Sequence, residues 1–444
     1  MKFRSTRGGR LHTLDEALLA GIAEDGGLFV PEALPRFSPG DFPEPDDIRA
    51  IAGILLAPYF DGSALAGQLT DIVRETFSFP IPLTKLPGLD GDAWLLELYH
   101  GPTAAFKDVG AGFLAACLSR LDDGDERPLT ILVATSGDTG GAVAAAFDGR
   151  PGTRVVVLFP EGRVSQRQRK QLTCWGDNVL SLAVEGSFDD CQALVKSAFV
   201  DPVLRRRYRF SSANSINIGR LLPQSTYYAY AGLHHRRISG HAPSFIVPTG
   251  NLGNALACVM ARDMGLPIRD IVLATNANRL VGDYLAGAEW LPRASIQTLA
   301  SAMDVGNPSN MERLRSMHGE APQIGSLLSA VAVDDDQIRE QIRLDYETFG
   351  FATCPHTATA TWAYRHLPVE RRRQDWILVA TAHPAKFEMI VEPLIGAKVP
   401  LPGELARILE RPSHCRNIPP DLGALVDAME AGFAVDDGDR AGDN

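Results

Sequence analysis

The chain has 444 residues, 45% hydrophobic and 22% charged, with a formal net charge of −11. That is enough chain for two or three domains with a large core, and the acidic balance argues against a nucleic-acid partner, whose phosphates select basic surfaces. Six scattered cysteines (Cys117, Cys174, Cys191, Cys258, Cys354 and Cys415) show no CxxC pair or metal-ligand spacing, so free thiols in a reducing compartment are expected, with no metal.

In chain order, residues 1–90 read as a region of their own. "TLDEALLAGIAEDGG" predicts a capped amphipathic helix with Thr13 as N-cap, Glu16 as its capping-box partner and Gly26–Gly27 as the stop. Asp15 and Glu16 interrupt the early apolar residues, which makes a poor signal peptide. No apolar run is long enough to span a bilayer, so a cytoplasmic location without membrane contact is expected. Pro31, Pro35, Pro39, Pro43 and Pro45 suggest a turn-rich connection. "DDIRAIAGILLAPYF" reads as a second helix, and "FPIPLTKLPG" as a loop.

From about Trp94 the texture changes. "AWLLELY" is strand-like and "KDVGAGFLAACLSRL" has helical spacing. "LTILVATSGDTGGAVAAAF" and "SFIVPTGNLGNALACVMARDMG" each read as strand, turn and helix. "TRVVVLFP", "DIVLATNAN" and "DWILVATAHP" are further buried strands, and "SFDDCQALVKSAF" is helical. Short β-branched runs alternating with helices predict an α/β fold with parallel sheets. The acidic, Gly-rich "AVDDGDRAGDN" is expected to fray.

In such sheets ligands sit at the carboxyl ends of strands. Four predicted strand ends carry unusual residues. After "ILVA" come Ser136, Gly137, Asp138 and Thr139, a hydroxyl- and amide-rich turn suited to an anion, with an ordinary helix cap at Ser136 or Asp138 as the alternative. Gly250, Asn251, Leu252, Gly253 and Asn254 form a compact turn that lacks the dinucleotide and Walker A patterns but suits a phosphate cup. Thr381 follows a buried strand and is placed to meet a ring nitrogen, or merely to cap. Asn214, Ser215 and Asn217 lie in a polar turn, with Arg220 following. Against these stands Lys107, a lone cation in "LELYHGPTAAFKDVGAGF", flanked by Phe106 and small apolar residues. The bland alternative is a surface lysine at a helix start. A lysine able to form an imine beside a separate phosphate cup is what pyridoxal 5'-phosphate requires, and an apolar wall lowers the amine's pKa.

"HGPTAAFKD", "TSGDTG", "NSINIGRLLPQ", "PTGNLGN", "SAMDVGNPSN" and "TAHPAKF", in that order, together with the opening "STRG" and "AEDGGLFVPE", resemble threonine synthases of the long type. The resemblance implies a fold type II pyridoxal-phosphate enzyme, with two parallel-sheet α/β domains and an N-terminal helical or irregular region. On that pattern residues 91–220 would hold the lysine and substrate loop, and 221–444 the phosphate cup and C-terminal helices. It further implies Lys107 as the imine-forming lysine, Gly250–Asn254 as the cup for the cofactor phosphate and Thr381 as the partner of the pyridine nitrogen. Ser136, Gly137, Asp138 and Thr139 would take the substrate carboxylate, and Thr103, Asn214 and Arg220 the substrate phosphate. The implied reaction converts O-phospho-L-homoserine and water to L-threonine and phosphate by γ-elimination and β-hydration, in a monomer or homodimer. A phospho-lyase yielding 2-oxobutyrate is the alternative reaction, and a catalytically silent, metabolite-binding homologue the alternative of another class.

Overall fold

The computed structural model describes residues 1–43, 47–89, 91–121 and 124–433; Pro45 and the acidic C-terminal stretch from 434 lie outside the described residues. Two sheets carry the architecture. The first has six strands in the order Ser329–Ala332, Ile271–Thr275, Ser244–Pro248, Trp376–Ala380, Ala93–Glu97 and Leu83–Lys85. All neighbours are parallel except the last pair. The second has five parallel strands in the order Arg416–Ile418, Val179–Val184, Thr153–Pro160, Leu129–Ala134 and Arg209–Ser212. Every residue of Leu129–Ala134, Val179–Val184, Ser244–Pro248 and Trp376–Ala380 is buried. Helices cover both faces, which is why these strands read as continuous apolar runs without alternation.

The N-terminal region adds a small antiparallel sheet of Phe3–Ser5, Gly8–His12 and Phe29–Pro31. Its first helix, Leu14–Ala20, has the expected capping box between Thr13 and Glu16. It stops earlier than Gly26–Gly27, because Gly21 takes φ 71° and closes the last turn. The stretch expected as a loop around Pro80 and Pro82 contains the edge strand Leu83–Lys85, paired antiparallel with Ala93–Glu97. Three residues are too few to show a period, so its neighbour's backbone, not its own pattern, defines it.

Sheet membership does not follow the divisions at 90/91 and 220/221. Ala93–Glu97 pairs with Trp376–Ala380, with Ala93 opposite Trp376 and Glu97 opposite Ala380. Arg416–Ile418 returns to the other sheet beside Val179–Val184. Both crossings are long-range pairings, which local patterns do not encode. Among the described residues no helix is long and apolar enough to cross a membrane.

Candidate active site

The four singled-out strand ends open onto one cavity of about 1780 Å³. Lys107 begins the helix Lys107–Leu118 on its wall. The preceding residue, Phe106, donates its backbone N–H to the Thr381 carbonyl at 2.8 Å, and Ala105 bridges to Ala382. Lys107 and Thr381 are thereby tied across two segments nearly three hundred residues apart in sequence. Just upstream, Ala104 holds φ 55°, one of two non-glycine residues in the left-handed region among the described residues, a conformation that costs about 1–2 kcal/mol. The other is Leu252, in the phosphate-cup turn. Backbone strain thus concentrates at the two places where a ligand would be gripped.

The Lys107 side chain is only 14% exposed, and its Nζ lies 3.7 Å from Asp138 Oδ2 and 5.2 Å from the Phe106 ring centre. Burial pulls its pKa below that of an ordinary lysine; Asp138 opposes this, while Lys386 and Arg220 add to it. Lys386 is fully buried and was not singled out from sequence. Its ammonium sits 2.8 Å from Asp138 Oδ1 and donates to the Thr103 carbonyl at 2.8 Å. Burial alone would push the Asp138 carboxyl up, but the charges of Lys386 and Lys107 outweigh it and hold Asp138 well below the usual carboxylate range. The result is an ionised carboxylate clamped between two lysines.

Ser136, Asp138 and Thr139 line the cavity. Gly137 does not. It is the N-cap of the helix Asp138–Phe147 at φ 140°, so glycine is required by conformation, and a Cβ there would also displace the Gln168 amide, 2.7 Å away. Neither Ser136 nor Asp138 caps that helix.

Thr103, expected at the substrate phosphate, is fully buried and is not part of the cavity lining. Its hydroxyl and N–H donate to the two Asp108 oxygens at 2.5 and 2.9 Å. It braces the lysine loop from behind. Asn214 and Arg220 do line the cavity. Arg220 is 3% exposed, and burial pulls its pKa to about 10 against the opposing charge of Asp108. Its Nε and the Asn214 Oδ1 are buried without a hydrogen-bond partner among the described residues. A desolvated guanidinium with a spare donor and, among the described residues, no carboxylate at ion-pair distance is suited to an anion.

The cup is built at the N-terminus of the helix Gly253–Asp263, whose N-cap is Leu252. A Cβ on Gly250 would lie 2.6 Å from the Met303 Cα. Asn251 is fixed from both sides: its Nδ2 donates to Ser215 Oγ and its Oδ1 accepts the Ser309 N–H, each at 2.5 Å. Asn254 Oδ1 accepts from the hydroxyls of Tyr227 and Tyr228, while its Nδ2 has no partner among the described residues. Free amides at a helix start, a glycine that admits no side chain and a spare amide donor fit a phosphate. Thr381, 5% exposed, lies on the same lining. These residues fit pyridoxal phosphate.

Residues 2–77 match the family described as threonine synthase N terminus, 75–381 match pyridoxal-phosphate dependent enzyme, and 357–429 match threonine synthase, C-terminal. The threonine synthase of Escherichia coli strain K12 is 39% identical over 419 residues, covering 93% of this chain and 95% of that protein.

The chain belongs to the threonine synthase family.

The solved structure of the Escherichia coli threonine synthase aligns over 97% of this chain and 100% of its own, with a TM-score of 0.87 and 37% identity. The pyridoxal-phosphate-bound threonine synthase of Brucella melitensis aligns over 98% and 100%, with a TM-score of 0.90 and 34% identity. The protein is therefore a pyridoxal-phosphate-dependent threonine synthase of fold type II. The long-type N-terminal region belongs to this family too.

Sequence reasoning misses three buried residues at or beside the site. Lys386 had a signal, being a cation in the apolar "TAHPAKFEMIV". His356 is buried on the cavity wall; its Nε2 accepts the Ala302 N–H at 3.1 Å, and burial lowers its pKa to about 4, so it is neutral with its proton on Nδ1. Arg313, also fully buried, donates Nε to the Phe29 carbonyl and Nη1 to those of Ser215 and, through its side chain, Asn310. It fastens the cup to the N-terminal region. "MERLRSM" gave no hint of that.

Proposed function

We propose that this chain converts O-phospho-L-homoserine and water to L-threonine and phosphate, with Lys107 as its catalytic residue. The observation that supports this most is the convergence of Lys107, the Gly250–Asn254 cup and the Arg220 guanidinium on one cavity. Bound pyridoxal phosphate supplies an aldehyde for an amine and a ring that accepts electron pairs released at the substrate carbons. The cup residues Gly250, Asn251, Leu252, Gly253 and Asn254 would hold its phosphate, and the Thr381 hydroxyl would partner its ring nitrogen.

Lys107, with its depressed pKa, is the base that takes the substrate Cα proton and later returns it. Asp138 remains ionised and steadies Lys107 whenever that side chain carries a proton. Ser136 and Thr139 receive the substrate carboxylate, with Gly137 shaping their turn. Asn214 and Arg220 receive the departing phosphate, and Thr103 acts indirectly by bracing the lysine loop through Asp108. All of these groups come from one chain, so the site is complete in a monomer or a homodimer. Water has to be held away from the reacting carbons until phosphate has left, which calls for closure over the bound substrate.

Borohydride reduction of the cofactor-loaded protein, followed by peptide mapping, tests the assignment. The pyridoxyl group is expected on the peptide containing Lys107. Lys107→Ala is expected to lose about 10²–10⁴-fold in turnover. Labelling at Lys386, or unchanged turnover in Lys107→Ala, would overturn the assignment.

A further inference from the structure

A second cluster of ligating side chains lies at the opposite end of the same strands. Asp92 precedes the strand Ala93–Glu97, Asp375 precedes its neighbour Trp376–Ala380, and His235 is in the last turns of the helix Gln224–Ser239. One His235 nitrogen and one oxygen from each carboxylate all lie within 4.8 Å of one another. Thr381 sits past the far end of that second, five-residue strand, which places the cluster on the order of 17 Å from the active site.

The hydrogen bonds around His235 are compatible with a free lone pair on Nε2. The residue is fully buried, and its Nδ1 is 3.2 Å from Ser239 Oγ. That hydroxyl has a single proton, which it donates to the His241 carbonyl at 3.3 Å. With its proton placed there, and the His241 N–H donating to Oγ at 3.1 Å, Nδ1 is the donor to Ser239 in the tautomer that leaves the lone pair on Nε2. Nε2 is buried with no hydrogen-bond partner among the described residues. An imidazole whose second nitrogen is fixed by a hydroxyl is the arrangement that orients histidines toward metals. The Trp94 indole packs edge-on against the ring at 5.7 Å and fixes its plane.

Charge favours a cation. Asp375 has no ion-pair partner among the described residues, and Asp92 is balanced only by Lys85, whose Nζ is 2.7 Å from Asp92 Oδ1 and whose side chain is 61% exposed. Lys85 can therefore swing into water. One nitrogen and two carboxylate oxygens suit a borderline divalent ion such as zinc, cobalt or manganese. Ligand atoms around such an ion stand roughly 3.4 Å apart, so side-chain adjustments on the order of 1 Å close the set.

We propose that His235, Asp92 and Asp375 form a structural divalent-metal site that fastens the Gln224–Ser239 helix to the amino ends of the two central strands. Water completes the coordination. The competing occupant is a proton, which would make His235 an imidazolium between the two carboxylates.

Cobalt(II) titration of the chelator-treated, cofactor-loaded protein at pH 7.5 tells the two apart, read by visible d–d absorption and by metal analysis after dialysis. About one cobalt per chain is expected. His235→Gln and Asp92→Asn should each weaken uptake at least about tenfold. Lys85→Ala, at an exposed position, should tighten it by removing the competing cation. If His235→Gln does not fold, Asp92→Asn and Lys85→Ala still decide. No stoichiometric uptake would mean that a proton occupies the cluster and would overturn the proposal. Uptake that Asp92→Asn and Lys85→Ala leave unchanged would place the metal elsewhere, with the same consequence.

Discussion

Replacing Lys386 by methionine removes a cation that is fully buried yet bonded to both Asp138 and the Thr103 carbonyl at 2.8 Å. At that separation and an effective dielectric of about 20, the attraction between the two charges is roughly 6 kcal/mol. Part of it is offset by the cost of burying the ammonium, and Asp138 keeps its bonds to Gln168 and its neighbour Lys107. Removing one partner of a buried pair typically costs about 3–5 kcal/mol, because the other charge is left uncompensated. We expect Lys386→Met to lose about that much against urea at pH 7.5. In the wild type the Asp138 pKa is depressed, so its contribution is present above the ordinary carboxylate range and is lost only as pH falls through the depressed value. Without Lys386 that pKa rises, and protonation relieves the variant's penalty, so its deficit should shrink from pH 8 to pH 5. Adding Asp138→Asn removes both charges, and the double variant should be more stable than additivity predicts by about 2–3 kcal/mol. A deficit below about 1 kcal/mol, or additive behaviour in the double variant, would refute the clamp.

Gly250→Ala should weaken cofactor binding and destabilise the chain by about 1–3 kcal/mol, because its methyl meets the Met303 backbone at 2.6 Å; a cofactor titration followed by absorbance and a urea curve check both. Asp345, fully buried among Gln341, Thr353 and Thr361, has its pKa raised by burial to about 6. A raised carboxyl contributes its stability in acid and loses it as pH rises through that value. Asp345→Asn should therefore gain on the wild type by about 1–1.5 kcal/mol between pH 5 and pH 8, as measured by urea midpoints at both pH values.

Much of the site was legible because its residues break local rules. Lys107 is a cation in an apolar wall, and Gly137 and Gly250 sit where strands hand over to helices. The strands themselves were legible because double-sided burial makes them uniformly apolar. What stayed hidden depends on the direction of side chains and on distant pairing. Thr103 follows the expected motif, but its hydroxyl faces Asp108 and not the cavity. Asp138 was read as part of an anion turn, and only the fold shows it held between Lys107 and Lys386. His356 lies in a helix buried almost all round, and Arg313 on the buried side of a short polar one, with no local pattern that marks either. The strand Ala93–Glu97 reads as its neighbour's companion only once Trp376–Ala380 is beside it.

The most direct test of the functional account is product analysis on the cofactor-loaded protein supplied with O-phospho-L-homoserine, with phosphate, threonine and 2-oxobutyrate assayed together. The account predicts threonine in equal amount to phosphate, with Lys107 returning the proton and water admitted only after phosphate has left. Phosphate accompanied mainly by 2-oxobutyrate, or no phosphate at all, would contradict it.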